Sequence, residues 1–506
     1  MNHLYQILEK ASEQYGDHIA LDFKTYQISY SKVKEAADRL AAGFKNLGFE
    51  PGDKMALMLP NVPHFAFAYF GLLKIGVTIV PLPTLYKAEE IHHRLEDSES
   101  KGIIFWEGYR DHVTQAVHGL EHCKRRIVLG NESKPGEVRL SYLLETSEPL
   151  DETHNPDPDD TALIVYTAGI TGYPRGAELT HHNILSNIES VYDFLKIDNT
   201  DSVVGAVPFY HPLGHTLVMG TFFRAGGRIV LIPKIDAPAA VQHIIEKESS
   251  YMIGMPSIYR EILEMEGSDQ IKFDSIKMCL SSGDALQQDT VENFEARYQV
   301  PIIEGYGLTE ASGMVSFNNP SIERRVGSIG LPLPGVELRI VDEKGEDVKT
   351  GQVGEIIIQG PSVMKGYLNK KEATREALRD GWLRTGDLAR LDESGHGMIV
   401  VRKKTVIVKS GFSVYPREVE RYLYGFPKVK EAAVIGVPDK MYGEEIHAVV
   451  VLKEGEQATQ EEIVDYMKDR MAAYKCPRVI HFENALPKGA TGRILREKIK
   501  NQITEN

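Results

Sequence analysis

The chain has 506 residues, too many for one ordinary core, so about two to four domains or subdomains are expected. A hydrophobic share of 42% with 26% charged residues fits a globular protein in water, and the net charge of −14 argues against general nucleic-acid binding. Cys123, Cys279 and Cys476 lie far apart and form no CxxC pair, which excludes a disulfide framework and a cysteine metal site and suggests a reducing compartment.

The N-terminal stretch MNHLYQILEKASEQYGDH scatters charges and holds no apolar signal core, and the last residues, NQITEN, match no anchoring or peroxisomal signal. A cytoplasmic protein is expected. Residues 31–48 place Val33, Ala37, Leu40 and Phe44 on one helical face, with Ser31 to cap the start and Gly48 to end it. A turn, EPGD, leads to the apolar run MALMLP, which reads as a strand. The most hydrophobic stretch, residues 65–83, is broken by Lys74, two glycines and two prolines. That pattern favours a buried helix followed by a buried strand over a membrane span. Further short apolar strands are expected at 103–106, 162–166, 228–233 and 278–283. Strands of this kind between helices predict an α/β architecture with buried, largely parallel sheets.

From about residue 325 the texture changes to close-spaced strands joined by glycine-bearing turns, which predicts a small antiparallel region. After RKK at 402–404 a compact α+β module is expected, with strands near AAVIGVP and HAVVVLK and a helix opened by Thr459 with Glu462 in capping-box spacing. The junction near Arg402–Thr405 divides the chain into a large N-terminal domain, 1–402, and a small C-terminal domain, 403–506.

One segment carries a chemical suggestion of its own. YTAGITGYPRGAELTH, Tyr166 to His181, follows the strand ALIVY and so lies at a strand's carboxyl end, where α/β proteins bind ligands. It is no Walker A loop, since the Gly-x4-Gly-Lys-Ser/Thr register is missing. Gly169, Gly172 and Gly176 permit unusual dihedrals, Thr167 and Thr171 offer hydroxyls, and Arg175 offers a fixed positive charge. Such a loop suits a polyphosphate. From this segment alone, a glycine-rich surface loop without a ligand remains an equal alternative.

Other segments break the tie. EGYGLTEASG (304–313), RTGDLARLDESG (384–395), RKKTVIVKSGFSVYPREVE (402–420) and LPKGATGRILRE (486–497) follow in that order. Together with TAGITGYPRG, the series closely resembles the core motifs of the acyl-adenylate-forming superfamily of acyl-CoA synthetases, adenylation domains and luciferases. VPFYHPLGH (207–215), GMPSIYR (254–260), GPSVMKGYL (360–368) and YKCPR (474–478) extend the resemblance over nearly the whole chain. It implies two half-reactions. A carboxylate attacks the α-phosphate of ATP with Mg2+, releasing pyrophosphate and leaving an acyl-adenylate. A thiol, usually that of coenzyme A, then displaces AMP and forms a thioester.

The resemblance also implies roles for residues. The phosphate loop is Thr167, Ala168, Gly169, Ile170, Thr171 and Gly172, with Arg175. Glu304, Gly305, Tyr306 and Gly307 belong to the nucleotide site, where Tyr306 stacks on adenine; Thr309 bonds a phosphate and Glu310 holds magnesium. Gly283, Asp284 and Ala285 form the adenine wall, Asp387 grips the ribose hydroxyls, and Arg402 lies on the ribose side. His211 stands between acyl and nucleotide sites as a gate, Lys404 is the hinge about which the C-terminal module swings, and Ser410, Gly411 and Phe412 line the pantetheine channel in the thioester-forming pose. Short-acid members carry a bulky aromatic side chain where Gly307 stands, so glycine there is expected to leave the acyl tunnel open and to favour a medium- or long-chain, or aromatic, acid over acetate.

Three departures stand out. Ala168 and Ile170 replace hydroxyl residues, and Arg175 replaces a lysine. Arg493 replaces the family's lysine, which bridges the substrate carboxylate and the nucleotide; its planar fork does not fill the space of an ammonium. Thr405 stands where the family has aspartate. Slower adenylation than in a typical member is expected, with the thioester step less affected. The chain is thus expected to be an ATP- and magnesium-dependent acyl-CoA synthetase for a medium- or long-chain fatty acid. The alternatives are an enzyme loading a carrier protein and a weakly active member that binds nucleotide or acyl ligand. A homodimer is left open.

Overall fold

The protein is described here from a computed structural model covering residues 1–168, 174–283, 286, 288–318, 324–342, 344–393, 396–402, 407–414, 416–487, 494 and 496–504. Among them the chain forms four sheets. The first has nine strands, in which Ile302–Leu308, Met278–Ser282, Tyr251–Gly254, Ser202–Ala206, Arg228–Val230 and Ile19–Phe23 run parallel, flanked by antiparallel edges. The second has eight strands, parallel from Thr161–Ala168 through Thr78–Pro81 and Lys54–Met58 to Glu137–Arg139, with Pro174–Thr180 and Gly366–Tyr367 added antiparallel. The parallel strands are apolar runs because both faces are covered by helices. One continuous core, including Leu57, Phe70, Leu163, Val203 and Ile303, joins the two sheets.

The third sheet is the expected antiparallel region, built on Glu337–Val341, Val353–Gln359, Trp382–Leu391 and Gly397–Arg402. The fourth belongs to the small C-terminal part. Its long hairpin Val429–Asp439 with Gly443–Leu452 carries Ile407–Lys409, Phe412–Val414 and Val479–Phe482, and it has its own core around Val419, Leu423, Val434, Ile446 and Met467. The helix Gln460–Lys468 starts in a capping box: Glu462 N–H donates to Thr459 Oγ1 at 3.2 Å, and Thr459 N–H donates to Glu462 Oε2 at 2.9 Å.

Several local expectations are corrected. The helix expected at 31–48 is Tyr30–Asn46, and its cap is Ser29, not Ser31: Ser29 is extended and its Oγ accepts from Lys32 N–H. The strand expected over 228–233 ends at Val230. The helix Pro63–Lys74 and strand Thr78–Pro81 form as expected from the apolar stretch. Lys74 does more than interrupt that stretch. It is fully buried, with Nζ 2.8 Å from Asp38 Oδ1 and 3.2 Å from the Tyr5 hydroxyl. Among the described residues no helix is long and apolar enough to cross a membrane.

Candidate active site

Tyr166–Ala168 and Pro174–Gly176, the described ends of the segment, are strand. The strand Thr161–Ala168 continues past Tyr166 and pairs antiparallel with Pro174–Thr180, which sets Thr167 opposite Arg175 and Ala168 opposite Pro174. Directly opposed residues share a face of the sheet. On that face Thr167 Oγ1 donates to Glu310 Oε1 at 3.2 Å, the Tyr367 hydroxyl donates to the same oxygen at 2.8 Å, and the Arg175 guanidinium lies 5.4 Å from the centre of the Tyr367 ring. Glu310 is held there by a single 3-10 turn, Thr309–Ala311, that ends the strand Ile302–Leu308.

Glu310 is buried, yet among the described residues its second carboxylate oxygen accepts no hydrogen bond. A fixed, hard oxygen donor beside a cationic guanidinium is what a magnesium–polyphosphate complex requires, because magnesium takes one or two carboxylates and leaves its other positions to phosphate and water. No cluster of three or more metal-ligating side chains occurs among the described residues. Glu310, with one oxygen unengaged among the described residues, fits a metal held partly by the nucleotide's phosphates.

Beyond this point the strand Ile302–Leu308 meets the third sheet. The Tyr306 hydroxyl donates to Asp387 Oδ2 at 2.7 Å, so one oxygen of Asp387 is engaged by protein. Arg402 stands directly opposite Asp387 in the antiparallel ladder. Both Tyr306 and Asp387 are buried.

Three residues of the same strand are there for packing. Glu304 accepts from Leu286 N–H at 3.3 Å through one oxygen and from Gly327 N–H at 2.7 Å through the other, and burial pushes its carboxyl up to about 6. Both of its oxygens are thus engaged by neighbouring backbone. A side chain at Gly305 would overlap Met314 and Phe317. A side chain at Gly307 would run into the backbone of Gly313 on the neighbouring strand. Glycine at 307 is thus demanded by strand crossing, and the expected open tunnel finds no support there.

His211 lies at the start of the π-helix-bearing segment that continues through Leu213–Gly220, a form often found at functional sites. Its Nδ1 accepts Leu213 N–H at 3.2 Å, so the neutral ring carries its proton on Nε2. Burial lowers its pKa to about 4, which keeps it neutral near pH 7. His211 faces a cavity of about 140 Å3 shared with Thr167, Thr309, Met255, Gly411 and Phe412. The last two come from the C-terminal sheet. Ser410 and Gly411 form a left-handed turn, φ 50° and 77°, that carries Gly411 against Met255, and Phe412 packs on Tyr474 with ring centres 4.5 Å apart. Gly283 is also left-handed, φ 95°, and borders Leu213 and Met255 at ordinary contact distance.

The structure thus brings together Thr167, Arg175, Thr309 and Glu310 on one side, Tyr306 with Asp387 on another, and His211 with Gly411 and Phe412 between the two modules. Gly169, Ile170, Thr171, Gly172, Asp284, Ala285, Lys404, Thr405 and Arg493 lie outside the described residues, as do the side chains of Ala168 and Arg402. Tyr367 and Met255 carried no expected role. Their signals were GPSVMKGYL and GMPSIYR, both visible as motifs but without a chemical reason until Glu310 and Gly411 were placed beside them.

Comparison with known proteins identifies the family. Residues 8–368 match the AMP-binding enzyme family and residues 418–493 match the AMP-binding enzyme C-terminal domain. The chain is 34% identical to a long-chain-fatty-acid–CoA ligase of Bacillus subtilis over 99% of this chain and 95% of that one. It is 31% identical to a feruloyl-CoA synthase of an Amycolatopsis species over 94% of each. A double mutant of o-succinylbenzoate CoA synthetase from Bacillus subtilis, bound with a product analogue, superposes with a TM-score of 0.88 at 26% identity, covering 99% of this chain and 98% of that one. The chain belongs to the adenylate-forming, AMP-binding enzyme family, among its acyl-CoA ligases.

Proposed function

We propose that this protein converts a medium- or long-chain fatty acid to its coenzyme A thioester in two steps on one site. In the first, a carboxylate oxygen bonds to the α-phosphorus of ATP and pyrophosphate leaves. In the second, the thiolate of coenzyme A bonds to the acyl carbon and AMP leaves with the bonding electron pair. The observation that carries this reading is the cavity where Thr167 and Thr309 meet His211, Gly411 and Phe412, with Glu310 behind Thr167. Phosphate-directed groups, a neutral imidazole and a turn of the C-terminal sheet converge where an acyl-adenylate's anhydride would lie.

Thr167, Arg175 and Thr309 would hold the β- and γ-phosphates, with Gly169, Ile170, Thr171 and Gly172 as the loop. Glu310 would hold magnesium, which when bound neutralises charge on the phosphates. Tyr306 and Asp387 would orient adenine and ribose, with Arg402, Gly283, Asp284 and Ala285 as neighbours. Neutral His211 would offer Nε2–H toward the acyl carbonyl, and Arg493 would bridge carboxylate and nucleotide during adenylation. Lys404 would be the pivot between a 1–402 domain and a 403–506 domain. The reading carries a cytoplasmic location with it, supported by Cys123, Cys279 and Cys476, all buried and free.

An aromatic acid is the second reading. A feruloyl-CoA synthase among the relatives, named for an aromatic acid, supports it. A panel of carboxylic acids, with AMP measured with and without coenzyme A, decides. Dodecanoate and longer acids should produce coenzyme-dependent AMP. Turnover confined to cinnamates or benzoates would transfer the proposal to the aromatic class, and turnover of acetate alone would defeat both.

A further inference from the structure

A buried set of charges spans the two modules beside the cavity. Glu90 and Arg94 lie four residues apart on the helix Ala88–Ser98, and so on one face of it. From the C-terminal side come Glu418, on the helix Pro416–Gly425, and Lys475, at the end of the 3-10 turn Ala473–Lys475. Lys475 Nζ lies 2.7 Å from Glu90 Oε1 and 2.9 Å from Glu418 Oε1, and Arg94 Nη2 lies 3.6 Å from Glu418 Oε1. Glu90 Oε2 also accepts Ala472 N–H at 2.9 Å. Both cations sit 4.6 Å from the centre of the Tyr86 ring. All four charged residues are at most 2% exposed.

Docking joins the two halves, because Lys475 of the small part reaches Glu90 and Arg94 of the large part reaches Glu418. Glu90 and Arg94 come from the large part, Glu418 and Lys475 from the small one, and each side brings one charge of each sign. A buried pair gains little net stability, because desolvation offsets attraction, but removing one member leaves an uncompensated charge in the interior. Such a network selects one relative placement over others. The placement selected also sets Gly411 and Phe412 on the cavity wall with His211.

We propose that the Glu90–Lys475–Glu418–Arg94 quartet is a latch that holds the C-terminal module in the thioester-forming pose, which makes Glu90 a positioning residue for the second half-reaction. This rests on the acyl-CoA synthetase reading for the identity of the two half-reactions. Glu90→Gln is the discriminating variant. It keeps the shape of the side chain and an oxygen for the Lys87 N–H that Glu90 also accepts at 3.1 Å, while removing the charge. Its thioester formation from dodecanoyl-adenylate and coenzyme A should fall about tenfold or more, with dodecanoate-dependent ATP–pyrophosphate exchange kept within about twofold. Small-angle scattering needs no turnover: the parent should match the profile calculated from this structure, and Glu90→Gln should depart from it. Equal loss in both half-reactions with a lowered melting temperature would make Glu90 merely structural and overturn the latch. Identical scattering profiles would overturn it as well. A parent without exchange activity on dodecanoate would count against the functional reading, and scattering alone would then judge the latch.

Discussion

Gly307 shows how one position takes different meanings from motif and geometry. A missing side chain at the acyl site suggests an open tunnel, but its side-chain direction meets the Gly313 backbone, which cannot move aside without breaking the strand pair. Gly307→Ala should therefore destabilise the protein by about 3 kcal/mol through overpacking, seen as a lower melting temperature with no change in the ranking of acids by chain length. A variant that melts like the parent but prefers shorter acids would restore the tunnel reading. Arg493 tests the opposite situation, where motif is the only guide. If an ammonium suits the bridge between carboxylate and nucleotide better than a planar fork, Arg493→Lys should raise acid-dependent ATP–pyrophosphate exchange by about tenfold. No acceleration would mean that the natural arginine already does the work of the lysine.

At the level of elements, the strand Ile302–Leu308 serves two masters: Tyr306 and the turn after it face the site, while Glu304 binds backbone behind it. Burial raises the Glu304 pKa from 4.5 to about 6, so the folded state holds this proton more tightly than the unfolded chain. The resulting stabilisation is full below 4.5 and lost as pH rises through about 6. At higher pH the buried charge costs about 2 kcal/mol relative to the neutral form. Urea denaturation of Glu304→Gln and the parent across that range should show the variant gaining on the parent by about this amount. Parallel curves would mean that the two N–H donors already compensate the charge. Elements were legible where periodicity and capping are local, as in the capping box at Thr459 or the helix–strand pair at 63–81. The ordered motifs assigned distant residues to one site, and in the structure Thr167 meets Glu310 and Tyr306 meets Asp387. Partners set by tertiary contact were not legible. Nothing near Glu304 names Leu286 or Gly327 as its donors, hydropathy marks Lys74 only as a break, and Glu90 and Lys475 are 385 positions apart. Glycines at 169, 172 and 176 suggested a loop over a stretch whose two ends pair as strands.

At the scale of the molecule, the proposed two-step reaction depends on how the small C-terminal part sits on the large one. The turn at Ser410–Gly411 is the sharpest point of that fit. Gly411 has φ 77° and approaches Met255 so closely that a side chain there would overlap the Met255 sulfur. Gly411→Ala thus meets two penalties in this pose: a left-handed backbone costing about 1–2 kcal/mol for a non-glycine residue, and a clash across the module boundary. Only the first persists when the modules separate. The variant should therefore keep acid-dependent ATP–pyrophosphate exchange while its thioester formation falls about tenfold or more. A second change separates the two penalties. Met255→Ala shortens the side chain that the new methyl group meets, so Gly411→Ala combined with Met255→Ala should recover part of the lost thioester rate, and the double-mutant cycle should be non-additive. Additive losses, or equal losses in both half-reactions, would place the whole effect in the backbone of the turn and remove docking against Met255 from the mechanism.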